Sequence, residues 1–300
     1  MNYMNGGFIE MKIAVVADSA SYLTKEQEKQ YGISVIPIPI IWNNKTYRDM
    51  IDITSEEFYR RLYSEQELPT TSTPSMGEVQ KLMDQLVQEE YTDVIFVTIS
   101  SGLSSFYPSL VAYAETEKRI NIHAFDSKVT CAGSANMAML AAKLVAAGKS
   151  VPEIISSLSD LRATTHVRFM VDDLSHLKRT GRLSNAASFV AGMLKIKPIL
   201  GMDVQEEGKI SAIGKERQAK KAFEHIKRDF AAAIADVDYP VQVTFFDAAA
   251  PELKAEWMAD FKQSFPNVRI LSSIIGPVVG VHVGQGCIAL IWSKDIQGFA

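Results

Sequence analysis

The first half of the chain alternates short apolar runs with amphipathic stretches. Lys12–Ala17 and Asp93–Ile99 are brief, uninterrupted and rich in β-branched residues, which predicts buried strands, and Asn121–Phe125 reads as another. Thr24 with Gln27, Thr54 with Glu57 and Ser75 with Glu78 have the spacing of capping boxes and predict three helix starts, the first helix running to Gln30. Ile33–Trp42, the Asn43-Asn44 turn and Lys45–Arg48 read as a strand hairpin. A helix to about Glu117 follows the segment after Ile99, and Ala132–Ala147 predicts the next. Strands and helices in this rhythm predict a parallel sheet.

The texture changes after Val151. A helix to about Thr164 leads to strand Val167–Val171, then to short helical pieces at Leu174–Lys178 and Ala186–Leu194. Ile199–Val204 and Lys209–Ala212 read as a hairpin around Glu206-Glu207-Gly208, followed by a long helix over Glu216–Ala235. Strand Val241–Phe246, helix Pro251–Phe265 and strands Val268–Ser273 and Cys287–Trp292 complete the pattern. The expected fold is α/β in two domains: a mostly parallel N-terminal α/β sheet over 11–160 and a C-terminal α+β domain over 161–297, with the ligand site at the seam.

At 300 residues and 47% hydrophobic, the chain is long enough for two cores. A formal net charge of −4 argues against a nucleic-acid partner. Apolar runs stop well short of the roughly 20 residues a membrane span needs. Met1–Glu10 is polar and reads as a tag remnant or an upstream start, with Met11-Lys12 opening the fold. Two cysteines, Cys131 and Cys287, suit a reducing compartment, so a cytoplasmic location is expected. Five scattered histidines and two isolated cysteines give no metal-ligand spacing.

Candidate chemistry gathers in four loops. Gly276-Pro277-Val278-Val279-Gly280-Val281-His282-Val283-Gly284-Gln285-Gly286 surrounds one histidine with four glycines and a proline, which predicts a buried, non-helical backbone. Ser100-Ser101-Gly102-Leu103-Ser104-Ser105 lies between a strand and a helix, where Ser104 is either an N-cap or a ligand hydroxyl. Thr70-Thr71-Ser72-Thr73-Pro74-Ser75 carries more hydroxyls than capping by Ser75 requires. Leu174 to Met202 holds Lys178, Arg179, Arg182, Lys195 and Lys197, a basic run that reads as an anion-steering face, as a dock for an acidic partner face or as an ordinary solvated patch.

These loops, with Leu177-Lys178-Arg179-Thr180-Gly181-Arg182-Leu183-Ser184 and Val15-Val16-Ala17-Asp18-Ser19-Ala20, occur in an order and spacing that resembles the DegV family of fatty-acid-binding proteins, from about Met11 to Ser293. That family includes the binding subunit of bacterial fatty acid kinase. The resemblance implies that the chain is a carrier rather than an enzyme, binding one long-chain fatty acid. The carboxylate would meet Thr71, Ser72, Ser104 and His282, with Arg182 nearby, and a separate ATP-dependent kinase subunit would convert it to an acyl phosphate. No other cofactor is implied. Phe169, Phe189, Val190, Met193, Leu194, Ile196 and Ile199 are candidate walls of an acyl tunnel, and core packing accounts for them equally. The chain departs from the family pattern at Ser105-Phe106-Tyr107-Pro108 and at Val283, where threonine is common.

Other readings fit less well. Gly148-Lys149-Ser150 lacks the earlier glycine of a P-loop, since Lys143 stands there; Ser150 with Glu153 reads as another capping box. Gly284-x-Gly286-x-x-Ala289 imitates a dinucleotide fingerprint but precedes a strand rather than a helix. The alternative from another class is a serine hydrolase acting on an acyl ester, with Ser104 as nucleophile, His282 as base and Asp18 or Asp126 orienting the histidine. A Gly-x-Ser-x-Gly elbow is absent around Ser104. A protein in which bound lipid is purely structural is a third option.

Overall fold

The structure, a computed structural model, describes residues 11–172, 174–184 and 196–299. Strands β1 (Ile13–Asp18), β2 (Ile33–Ile36), β6 (Asp93–Thr98) and β7 (Asn121–Asp126) form a parallel sheet in the order β2-β1-β6-β7. Its helices are α1 (Lys25–Tyr31), α3 (Met76–Gln88) and α4 (Phe106–Thr116). Thr24, Ser75 and Ser150 make the reciprocal capping boxes that the spacing predicts, whereas Thr54 accepts only the Glu57 N–H. Phe96, Phe106, Val79 and Met83 fill the core beneath α3 and α4.

The predicted strand Ile33–Trp42 is in fact two strands. Pro37 cannot donate to a ladder, and the Ile38 N–H turns to Ser19 Oγ at 3.0 Å. The chain therefore leaves the parallel sheet after β2. It forms β3 (Pro39–Trp42), which pairs with β4 (Lys45–Arg48) and with a two-residue strand β5 (Thr70–Thr71) in a small antiparallel sheet. Between them lies α2 (Ser55–Ser64).

The second half is α+β. Strands β8 (His166–Met170), β9 (Lys197–Met202), β10 (Ile210–Glu216), β11 (Val241–Asp247), β12 (Arg269–Ile274) and β13 (Ile288–Lys294) lie in the order β10-β9-β8-β13-β11-β12. Only β11 and β12 run parallel. β10 runs past Ala212 to Glu216 through a register shift, so the long helix, α8 (Ala219–Ala233), begins later than Glu216. α8 and α9 (Pro251–Ser264) cover one face over Phe223, Phe230, Trp257, Phe261 and Trp292.

The other face meets the first half through α5 (Ala132–Ala146), with α6 (Val151–Ala163) alongside. α5 is buried nearly all round and built largely from alanine, glycine and methionine. Such a helix is solvated on no face and belongs between layers. It packs on β1 and β6 on one side and on β13 on the other, tying the halves through one continuous core.

The glycine-rich segment around His282 corrects the expectation of a non-helical loop: Pro277–Val283 is a helix, α10. Proline opens it at a position where no N–H is needed, and Gly284 ends it at φ 72°. Gly280 lies inside the helix because α10 is pressed onto α2. A Cβ there would come within 2.7 Å of Phe58 Cε1 and Tyr59 Oη. Alanine would favour the isolated helix by about 1 kcal/mol. Gly280→Ala should nevertheless lower stability by about 1–3 kcal/mol through overpacking, measured by urea unfolding. A stabilised variant would show that the contact yields.

Candidate ligand-binding site

The serine-rich loop lies at the carboxyl end of β6, beside the loop that leaves β7, where an open α/β sheet collects ligands. Asp126 organises both loops, its Oδ1 accepting the Ser101 and Lys128 N–H groups at 3.1 and 3.0 Å. Ser100 Oγ donates to Gly208 O at 2.8 Å and accepts the Gly102 N–H, so the loop rests on the β9–β10 turn. Gly102 is required by closeness, since a Cβ would lie 2.3 Å from Glu207 O. The N-cap of α4 is Ser105, and Ser104 Oγ accepts the Phe106 N–H at 3.2 Å. With an acceptor site so used, the Ser104 O–H proton remains to donate to a ligand.

Pairing of β5 with β3 sets Thr71 opposite Ile40 and turns its hydroxyl towards α10. Thr71 Oγ1 and His282 Nε2 are 2.9 Å apart. His282 Nδ1 is out of solvent and has no hydrogen-bond partner. An orphaned buried N–H is costlier than a bare acceptor. The network therefore assigns the proton to Nε2, donating to Thr71 and freeing the Thr71 O–H for a ligand. Burial, then the Arg182 and Arg179 charges and His176, hold the His282 pKa down to about 3. The imidazole is neutral at pH 7.

α10 is held from behind. Its Val279 N–H donates to Tyr22 Oη at 2.9 Å, and Tyr59 Oη donates to Ile275 O at 2.8 Å. Asp49 accepts the Ser19 hydroxyl at 2.7 Å and faces the Val278 N–H. Burial raises the Asp18 and Asp49 carboxyls to about 7.

The third element is α7 (Ser175–Arg179) with the loop after it. Arg182 Nε donates to Leu103 O at 3.3 Å and Nη1 to Thr180 O, which leaves further guanidinium N–H groups for an anion. Thr71, Ser72, Ser104, Arg182 and His282 line one cavity of about 220 Å³, joined by Ile99, Leu103, Thr130, Ile210, Val278 and Val283. None of its described lining residues is acidic. Thr130 was missed by motif reading, although its place just after β7 marks it by the strand-end rule.

The geometry does not assemble a hydrolytic triad. His282 Nε2 meets Thr71, not Ser104. Asp18 is occupied by the Ile99 and Ala20 N–H groups, and Asp126 by Ser101 and Lys128. A histidine held near 3 is also a weak base. Among the described residues, no group of three or more His, Cys, Asp or Glu is placed to hold a metal ion, and no helix is long and apolar enough to cross a membrane.

The proposed tunnel residues divide. Phe169 is buried in the core between the layers. Ile199 lies on the opposite face of the sheet with Phe223 and Ile226, because successive strand residues alternate faces. These two residues therefore share no wall. Ile196 is half-buried. Phe189, Val190, Met193 and Leu194, and the predicted helix Ala186–Leu194, lie outside the described residues.

A parallel α/β half and an α+β half, with a hydroxyl–imidazole–guanidinium cavity between them, define a two-part protein of mixed α/β class. The DegV family model matches residues 12–295, and the chain belongs to that family. Protein DegV of Bacillus subtilis (strain 168) is 36% identical over 283 residues, which is 94% of this chain and 99% of that protein. The crystal structure of DegV, a fatty acid binding protein from Bacillus subtilis, matches with a TM-score of 0.87 at 34% identity, covering 95% of this chain and 100% of that one. A fatty-acid-binding DegV family protein from Thermus thermophilus matches at 0.87 and 28% identity, over 95% and 100% of the two chains. The stearic acid-binding protein from Eubacterium ventriosum matches at 0.83 and 25%, over 96% and 100%.

His282 generates an acid-side prediction. Its folded pKa, near 3, lies below the unfolded value of about 6.5. The unfolded chain therefore binds more protons between these values, and stability is lost as pH falls through them. The stability advantage of the native protein over His282→Asn should shrink from pH 7 to pH 4 in denaturant titrations. A gap independent of pH would mean that the imidazole is not held neutral. The raised Asp18 and Asp49 act oppositely, lowering stability as pH rises from about 4 to 7.

Proposed function

We propose that the protein binds a single long-chain fatty acid and presents its carboxylate, as a cytoplasmic carrier, to a separate ATP-dependent fatty acid kinase subunit that forms the acyl phosphate. The observation that carries this reading is the convergence of Thr71, Ser72, Ser104, Arg182 and His282 on one cavity with no acid among its described lining residues. The family and the ligands of the similar structures support it.

In this reading the Thr71 and Ser104 hydroxyls donate to the carboxylate, and Arg182 supplies the compensating charge. His282, neutral, fixes the Thr71 hydroxyl rather than pairing as a cation. Charge-assisted hydrogen bonds contribute about 1.5–3 kcal/mol each before desolvation. About 14 buried methylenes at ~0.8 kcal/mol give roughly 11 kcal/mol gross, so the tail supplies affinity and the head group orientation. The tail would run into the apolar core between the layers, past Phe169 and Ile196.

Solvent extraction of the purified, denatured protein followed by mass spectrometry should release one fatty acid per chain within a narrow range of lengths. An empty extract, together with no uptake of added palmitate or oleate, would refute the carrier reading. Presentation is tested separately: Arg182→Ala should lower acyl-phosphate formation by a kinase subunit more than it lowers fatty acid binding. Equal losses would rule out a part for Arg182 in meeting the kinase subunit and leave it as a head-group contact alone.

A further inference from the structure

The motif draws the eye to Arg182, but Arg179 joins the two segments that carry the hydroxyl–imidazole pair. Arg179 is an exposed residue at the end of α7, and its guanidinium turns inward. Nη1 donates to Pro69 O at 3.1 Å and Nη2 to Val281 O at 3.3 Å. Pro69 stands two residues ahead of Thr71, and Val281 immediately precedes His282. One planar cation thus bridges the chain entering β5 and the last turn of α10, on either side of the 2.9 Å contact between Thr71 and His282.

Both attachment points need such a bridge. β5 is only two residues long and pairs with β3 alone, so its own ladder holds it weakly. Val281 O is among the last four carbonyls of α10, which lack partners within the helix and favour a cation. Arginine supplies two donors in a fixed fork, which a lysine does not.

We propose that Arg179 is a positioning residue, clamping the Thr71 strand to the His282 helix so that the hydroxyl–imidazole pair is already set when a carboxylate arrives. The inference rests on the head-group reading above. Its benefit is preorganisation: the bound geometry costs no further ordering. Arg179 is not among the residues that line the cavity, so apart from its charge it acts on a ligand only through Thr71 and His282.

The test is a double-mutant cycle on the delipidated full-length protein at pH 7.5, with palmitate affinity read by displacement of a fluorescent fatty acid and folding checked by circular dichroism. Arg179→Gln should weaken binding by about tenfold or more, the scale of a lost charge-assisted hydrogen bond. Thr71→Val should weaken it too, and the double variant should be no weaker than Thr71→Val to within about twofold. Arg179→Lys, able to hold one carbonyl, should recover part of the loss. Unchanged affinity in Arg179→Gln, or losses that multiply in the double variant, would overturn the proposal. If Arg179→Gln does not fold, Arg179→Lys carries the same cycle, and native affinity in it overturns the proposal. If the native protein itself takes up no fatty acid, the head-group reading fails instead. Arg179 is then judged on the ligand-free protein by the His282 Nε2 resonance, which Arg179→Gln should shift and which, unmoved, would overturn the clamp.

Discussion

Two tyrosine hydroxyls hold the helix Pro277–Val283 to the first half of the molecule, and the site depends on that attachment. Tyr22 accepts the Val279 N–H and Tyr59 donates to Ile275 O. Both rings are buried, so their hydroxyls would be costly to leave unpaired. Because Gly280 presents no side chain, α10 comes down onto Phe58 and Tyr59. This delivers His282 to within hydrogen-bonding distance of a threonine 211 positions earlier in the chain. Neither half contains the site by itself. It exists only where a helix of one layer is seated on the other.

Around that contact the electrostatics are one-sided. Arg179 and Arg182 disfavour the charged form of His282, yet among the described residues no carboxylate lines the cavity to absorb their charge. Asp126 and Asp18, at the carboxyl ends of β7 and β1, are instead occupied by main-chain N–H groups, Asp126 by Ser101 and Lys128, Asp18 by Ile99 and Ala20. Among the described residues, an incoming anion therefore meets hydroxyl donors and guanidinium rather than competing acids. This explains why a serine and a histidine in one cavity do not amount to nucleophile and base.

Much of this was legible in the residues alone, and the exceptions share a cause. Apolar runs and capping boxes located the parallel strands and most helix starts, because those signals are local. Surplus hydroxyls, a basic run and a glycine-framed histidine marked the loops, but Thr71, Ser72, Ser104, Arg182 and His282 were named as a set only through the resemblance to the DegV family. Failures came where a tertiary contact overrode a local preference. Glycine and proline around His282 read as helix-breaking, but Pro277 sits at a first-turn position and Gly280 under a phenylalanine and a tyrosine. Pro37 separates β2 from β3 by denying a ladder bond, which the apolar pattern of Ile33–Trp42 conceals. Ile199 and Leu200 are equally apolar, and only the register with Met170 and Phe169 reveals which faces the seam. Arg179 was invisible as a bridge, since its partners are carbonyls 110 and 102 positions away.

Placing a cavity across two layers also couples occupancy to cohesion. A ligand touching Ser104 on one side and His282 on the other is a cross-link of finite strength, adding RT ln(1 + [L]/Kd) to the free energy that keeps the layers together. On the carrier reading, the melting temperature rises with the free concentration of the fatty acid. On the same reading, proteolysis through the opened state slows as the site fills.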